Sequence, residues 1–365
     1  MMNIITDELR PIAIDYLFPG MRVTENIYNH DGSVLLVGKG TILTEKNLKM
    51  LKRFNSSTRN ISVYATTYQA LLNYNTESPE LFSQEYLEEA VGYGELKSDA
   101  ENLLEQIKNS ETVSKEQSQQ VASGIVQKLQ STDPSLILQC INAPKPIDEY
   151  LHRHSVNVSF LNGLIGKWLE LPEEDIATLT LAGLLHDIGK TKIPSEIVDF
   201  PGKLSPEQFE IMKMHTIYSF ELIQNNPLFS ESIRLIARHH HEKMNGSGYP
   251  DGLIGDKISY FARITAVSDI YDAMVSKRQY KEAQSPFAVM SQLSTEKFSG
   301  LDMQIVSVFI ERMPMELIGK PVLLTDGSIG TIKFITPNDL GHPLIELNGK
   351  LRKTDNEWYC KRMVQ

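Results

Sequence analysis

Leu179-Thr-Leu-Ala-Gly-Leu-Leu-His186-Asp187-Ile-Gly-Lys190 joins an apolar run to a His-Asp pair and a glycine-containing turn. Two adjacent ligand-type side chains therefore emerge where a buried helix ends, one pointing inward and the other beside it. Working outward, His154 lies about 30 residues upstream, and His215, His240-His241 and Asp269 follow at intervals of about 25 to 29 residues. Such intervals suit one ligand per successive helix lining a shared cavity, the way helix bundles build metal sites.

A single helical histidine usually packs as an ordinary side chain. Five imidazoles and two carboxylates at this spacing, His154, His186, Asp187, His215, His240, His241 and Asp269, call for a common purpose. They exceed the four ligands of one tetrahedral ion. Histidine with carboxylate suits a pair of divalent ions such as Fe, Mn or Zn, with positions left open for water and substrate. A dinuclear catalytic centre is expected. Adjacent residues on a helix point about 100 degrees apart, so His152 and His239, close to these ligands in sequence, do not share their face and are expected to be bystanders. His30 and His342 fall near turn signals and are expected to be exposed.

The flanking sequence sets the fold class as mainly α, a helical bundle between small β-containing units. Val158, Leu161, Leu164, Ile165, Trp168 and Leu169 form a stripe of helical period, which Leu171-Pro172 stops. Ser205-Pro-Glu-Gln208 reads as a capping box with Pro at the first helical position, opening a helix that carries His215. From 67 to 135 the chain is polar, but Leu103, Leu104, Ile107, Val121, Ile125, Val126 and Leu129 recur at helical spacing. At the amino end, Met21-Arg-Val23 and Ser33 to Val37 flank an Asp31-Gly32 turn, Thr44 caps a short helix, and Ile61 to Tyr64 is a returning strand. At the carboxy end, Pro321 to Leu324, Ile329 to Ile335 and Pro343 to Leu347 are punctuated by Asp326-Gly327 and Asn348-Gly349. The expected organisation is a β-rich module over 1–66, a helical connector over 67–111, a helical catalytic domain over 112–317 and an antiparallel β appendage over 318–365.

Composition narrows the function. Among 365 residues, 36 Lys and Arg face 46 Asp and Glu, a net charge of −10 that argues against a nucleic-acid polymer or an anionic membrane as partner. The apolar run at Leu179 to Leu185 is far short of the roughly 20 residues that span a bilayer. The amino terminus lacks a basic-then-apolar export signal, and Cys140 and Cys360 have no paired spacing. A cytoplasmic protein with both cysteines packed is expected. The helices before residue 135 leave a homodimer open without specifying one.

His154-Ser-Val-Asn-Val158, His186-Asp-Ile-Gly-Lys190, His240-His-Glu242 leading into Gly246-Ser-Gly-Tyr-Pro250-Asp-Gly252, and Ser268-Asp-Ile-Tyr-Asp-Ala273 occur in order. With these segments, about residues 112 to 315 resemble the HD-GYP domain, a branch of the HD metal-dependent phosphohydrolases that degrades cyclic di-GMP. The resemblance implies that the seven residues named above are metal ligands, with Asp187 bridging two ions, and that iron or manganese fills the site. It implies hydrolysis of cyclic di-GMP to linear pGpG or GMP by a metal-activated water. Some members add a glutamate four residues before the first histidine for a third ion. Tyr150 stands there, with Glu149 one residue off, so two ions are expected. Asn245 replaces a common aspartate and keeps turn chemistry while losing a charge.

Lys190, three residues after Asp187, is placed to reach a phosphate as a flexible point charge. Arg278 and Lys281 share a helical face at i, i+3 and match the family's substrate-phosphate positions. Gly248, Tyr249 and Pro250 form the substrate-side loop. Two other readings stand beside hydrolysis of cyclic di-GMP. One is a catalytically weak cyclic di-GMP sensor or adaptor, disfavoured because the ligands and Lys190 are all present. The other is an HD-type hydrolase of another nucleotide, which leaves the Gly-Tyr-Pro loop without a reason.

Overall fold

The structure is a computed structural model that describes residues 9–13, 17, 23–28, 35–41, 43–54, 60–64, 84–142, 150–200, 202–224, 226, 229–276, 283–295, 298 and 300–363. It divides into an amino-terminal unit ending at Ser98 and a larger unit from Asp99 onward.

In the first unit β1 (Leu9–Ala13) pairs antiparallel with β4 (Asn60–Tyr64), and β2 (Ile27–Tyr28) with β3 (Leu35–Val37). Between β3 and β4 lies α1 (Glu45–Phe54), which buries Leu48 and Leu51. Its cap is reciprocal: Thr44 Oγ1 accepts from the Asn47 amide at 3.3 Å and Asn47 Oδ1 from the Thr44 amide at 3.0 Å. The Asp31-Gly32 turn, His30, Met21 and Arg22 lie outside the described residues.

The polar stretch between 67 and 135 holds α2 (Gln84–Ser110) and α3 (Lys115–Ser131), followed by α4 (Pro134–Asn142). The bundle core is α5 (Tyr150–Trp168) against α6 (Glu173–Leu185). Gly183 permits this contact, because a Cβ there would stand 2.7 Å from the Ser159 Cα. All residues from Leu179 to Leu185 are buried. A 3-10 turn (Ile188–Lys192) and the one-turn α7 (Ser195–Val198) lead to α8 (Pro206–Gln224). Both halves of the capping box form: the Gln208 amide donates to Ser205 Oγ at 3.2 Å and the Ser205 amide to Gln208 Oε1 at 2.9 Å. The bundle is completed by α9 (Glu231–His239), α10 (Tyr260–Val275), α11 (Pro286–Leu293) and α12 (Met303–Leu317).

The carboxy-terminal sheet is antiparallel in the order β8-β7-β6-β5-β9, from β5 (Pro321–Leu324), β6 (Ile329–Thr336), β7 (Asp339–Leu347), β8 (Lys350–Lys353) and β9 (Cys360–Met363). The β7–β8 turn takes positive φ at both Asn348 (50°) and Gly349 (73°), the primed conformation that suits strand twist. β7 packs on α11. Cys140 and Cys360 are both buried and form no disulfide, and burial pushes the Cys360 thiol up to about 12. No helix among the described residues is long and apolar enough to cross a membrane.

Candidate metal centre

The bundle brings seven side chains from successive elements to one place: His154 from α5, His186 and Asp187 from the end of α6, His215 from α8, His240 and His241 from the end of α9, and Asp269 from α10. They form two groups, Asp187 with His215, His240 and His241, and His154 with His186 and Asp269, and within each the donor atoms lie within 4.8 Å of one another. Asp187 joins the groups. Its Oδ2 is 3.4 Å from Nε2 of His154 and 3.4 Å from Nε2 of His186, whereas its Oδ1 faces His215 Nε2 at 3.2 Å and His240 Nε2 at 3.7 Å.

Gly189 makes the approach possible, since a Cβ there would run into the His215 carbonyl and the Ser219 backbone. Its amide instead donates to Ser219 Oγ at 2.8 Å, fixing the turn after Asp187 to α8.

The imidazoles are aimed by their other nitrogens. Nδ1 of His186 meets the Gly183 carbonyl at 2.7 Å, that of His215 the Met212 carbonyl at 2.6 Å, and that of His240 the Ile236 carbonyl at 3.1 Å. A ring whose Nδ1–H donates to a carbonyl leaves the Nε2 lone pair free, so these Nε2 atoms enter the cluster as ligands would. His154 Nδ1 lies 2.7 Å from Oδ2 of Asp272, whose Oδ1 accepts from Asn157 Nδ2 at 2.5 Å and Ser276 Oγ at 3.2 Å. The sequence reading assigns Asp272 no role. The available signal is its position three residues after Asp269, hence on the same helix face.

Charge follows the same plan. Burial opposes ionisation of Asp187, but Lys190 and His186 outweigh it and hold the carboxyl well below its ordinary range. Burial is likewise overcome at Asp269, by His154 and His241. Burial keeps His186, His215 and His241 neutral, His215 being lowered to about 3. Burial would also lower His154, yet Asp187, Asp269 and Asp272 push it up to about 10. Ionised carboxylates and neutral imidazoles are the forms that bind cations, so a cation at His154 would take the place of its Nε2 proton. Nε2 of His186 and Oδ1 of Asp187 are buried without a hydrogen bond, an arrangement that costs stability unless a cation completes it. The residues fit a pair of divalent ions.

The Gly246 to Gly252 loop is fastened beside this cluster. Glu242, 3% exposed, accepts the amides of Asp251, Gly252 and Leu253 at 2.6, 3.0 and 2.9 Å. Gly248 packs so tightly on the Glu242 backbone that a side chain has no room. The Tyr249 amide donates to the His241 carbonyl at 3.3 Å, and its ring lies 4.7 Å from that of His241. Asn245 makes an Asx turn, accepting from the Ser247 amide at 3.0 Å. His239 stands apart from the cluster and contacts Asp251 at 3.0 Å, alongside a two-bond pairing of Asp251 with Arg238. Lys190 pairs with Asp187 Oδ2. Arg278, Lys281 and Glu149 lie outside the described residues, as do the side chains of Tyr150 and His152. His342 is half-buried on the sheet, where exposure was expected. Asp339 and Asn356 hold its two ring nitrogens.

Two groups of histidine and aspartate joined by one carboxylate, in a helical bundle, define a candidate dinuclear metal centre. Residues 141–305 match the HD domain family. The chain is 33% identical over 214 residues to a cyclic di-GMP phosphodiesterase of Pseudomonas aeruginosa, covering 58% of this chain and 51% of the relative. It is 34% identical over 178 residues to 3'3'-cGAMP-specific phosphodiesterase 1 of Vibrio cholerae, covering 48% and 41%. It thus spans about half the length of the curated relatives it matches. A solved HDG"Y"P protein from Bdellovibrio bacteriovorus shares the fold, with a TM-score of 0.61 over 84% of this chain and 100% of that one at 19% identity. The helical core is thus similar to the HD domain family and, over about half their length, to phosphodiesterases named for cyclic dinucleotides.

Proposed function

We propose that this chain is a metal-dependent phosphodiesterase of a cyclic dinucleotide, with cyclic di-GMP as the first candidate substrate and linear pGpG or GMP as product. The observation that carries the reading is Asp187, which turns one carboxylate oxygen to each of two histidine groups. His154, His186 and Asp269 would hold one divalent cation and His215, His240 and His241 the other, iron or manganese by their mixed nitrogen and oxygen donors. Bound there, the pair supplies Lewis-acid polarisation of the phosphoryl group and a water nucleophile at neutral pH.

The chain's own residues do the rest. Lys190, with its side chain 17% exposed at the edge of the cluster, presents a cation to a phosphate oxygen. Burial, with the Asp269 and Asp187 carboxylates, raises the Tyr249 pKa, so its hydroxyl stays protonated and would serve as a hydrogen-bond donor to the substrate. Gly248 and Pro250 hold Tyr249 in place. Arg278 and Lys281 would take the second phosphate.

A second reading, 3'3'-cGAMP as substrate, is supported by the similarity to the Vibrio cholerae enzyme, whose name assigns it that substrate. Incubating the Mn(II)-loaded or Fe(II)-loaded protein separately with cyclic di-GMP and 3'3'-cGAMP tests both. Metal-dependent linear product from one of them, abolished in Asp187→Ala, is expected. Binding of either without any product would leave a sensor in place of an enzyme.

A further inference from the structure

Phe209, in the first turns of α8, is 45% exposed. A lone exposed phenylalanine means little, but this one meets Tyr249 edge to face, with ring centroids 6.1 Å apart at 84°. Tyr249 in turn lies 4.7 Å from the ring of His241 and 6.3 Å from that of His215. One helical turn beyond Phe209, the Lys213 ammonium sits 5.5 Å from the Phe209 centroid and 5.9 Å from that of Tyr249, while pairing with Glu210 at 2.7 Å. From the candidate metal cluster outward there follow a shielded aromatic ring, a cation and an open aromatic ring.

We propose that Phe209 is a base-stacking residue on which a purine of the substrate lies while its phosphate occupies the cluster. The proposal rests on the cyclic-dinucleotide reading above and adds the recognition of the bases to it. A nucleobase hangs one ribose from its phosphate, which carries it past Tyr249 to the ring beyond. Stacking on an aromatic face is tolerant because every base has a π-face. Phe209 therefore contributes affinity for guanine and adenine alike, and the choice between cyclic di-GMP and 3'3'-cGAMP is made at other positions. Lys213, partly neutralised by Glu210, adds positive charge to the same rim and favours a phosphate-bearing ligand there.

The test uses the Mn(II)-loaded full chain with Phe209→Ala and Phe209→Trp. Phe209→Ala is expected to raise KM for the cyclic dinucleotide about tenfold with kcat changed by less than about twofold, and Phe209→Trp to restore KM. GMP and ribose 5-phosphate carry the same phosphate and sugar with and without a base. As inhibitors they should separate, with GMP weakened by Phe209→Ala and ribose 5-phosphate unaffected. An unchanged KM, or equal weakening of both inhibitors, overturns the proposal. Should the wild-type protein hydrolyse neither cyclic dinucleotide, the enzymatic reading fails on that result alone. The fluorescence introduced by Phe209→Trp then decides the platform: quenching by GMP and not by ribose 5-phosphate sustains it, and no quenching by GMP overturns it.

Discussion

His342 and Asp339, on the carboxy-terminal sheet, pair at 2.7 Å, as closely as any histidine and aspartate of the helical cluster. There both ring nitrogens and both carboxylate oxygens have partners, since Asn356 lies 3.2 Å from the other nitrogen and Lys353 2.8 Å from the other oxygen. About a third of each side chain is open to solvent. In the cluster, by contrast, backbone carbonyls or Asp272 occupy the Nδ1 atoms of four rings and leave Nε2 atoms converging on one buried carboxylate. The same residue types thus make a satisfied surface network in one place and a set of inward-facing ring nitrogens around a buried carboxylate in the other. What separates a cation site from an ion pair is burial of donors whose hydrogen bonding is left incomplete.

Substitutions can break or sharpen that contrast. The largest effect is expected from Asp187→Ala, which removes the carboxylate facing both groups. Turnover should fall by about a thousandfold or more, and elemental analysis of the dialysed protein should show loss of bound metal. Asp272→Asn keeps the shape but weakens the aim of His154. Metal affinity should drop about 10- to 100-fold, read by titration with Mn(II). Glu242→Gln leaves three loop amides facing a weaker acceptor and is expected to cost about 1 to 3 kcal/mol in denaturant unfolding, with metal content unchanged.

The smallest effect belongs to the sheet. Lys353, against a small burial cost and with help from His342, lowers the Asp339 pKa. Its contribution is therefore complete above the ordinary carboxylate value near pH 4 and is lost as pH falls through the lowered value. Asp339→Asn should cost under about 1 kcal/mol at pH 7, with the difference from wild type vanishing in strong acid and no change in metal binding.

Much of this arrangement was legible in the sequence, because it rests on periodicity and local chemistry. The intervals between His154, His186, His215, His240 and Asp269 reported one ligand on each of several helices lining a shared cavity. Ser205 and Gln208 announced a cap whose two hydrogen bonds both form. Asn348-Gly349 announced a turn by its need for positive φ. What escaped depends on partners without a sequence signature. Glu242 acts through backbone amides, which every residue but proline offers. Asp272 reaches His154 across 118 positions, and the contact of Phe209 with Tyr249 depends on where α8 lies against the loop. The edge strand Lys350-Leu-Arg-Lys353 is exposed at every position, so it carries no alternation to read.

Electron paramagnetic resonance of the protein titrated with Mn(II) tests the pairing most directly. Two ions per chain with an exchange-coupled signal, reduced to isolated-ion spectra or none in Asp187→Ala, is the expected result. Binding of a single uncoupled ion in the wild-type protein, or a coupled pair that survives loss of Asp187, would contradict it.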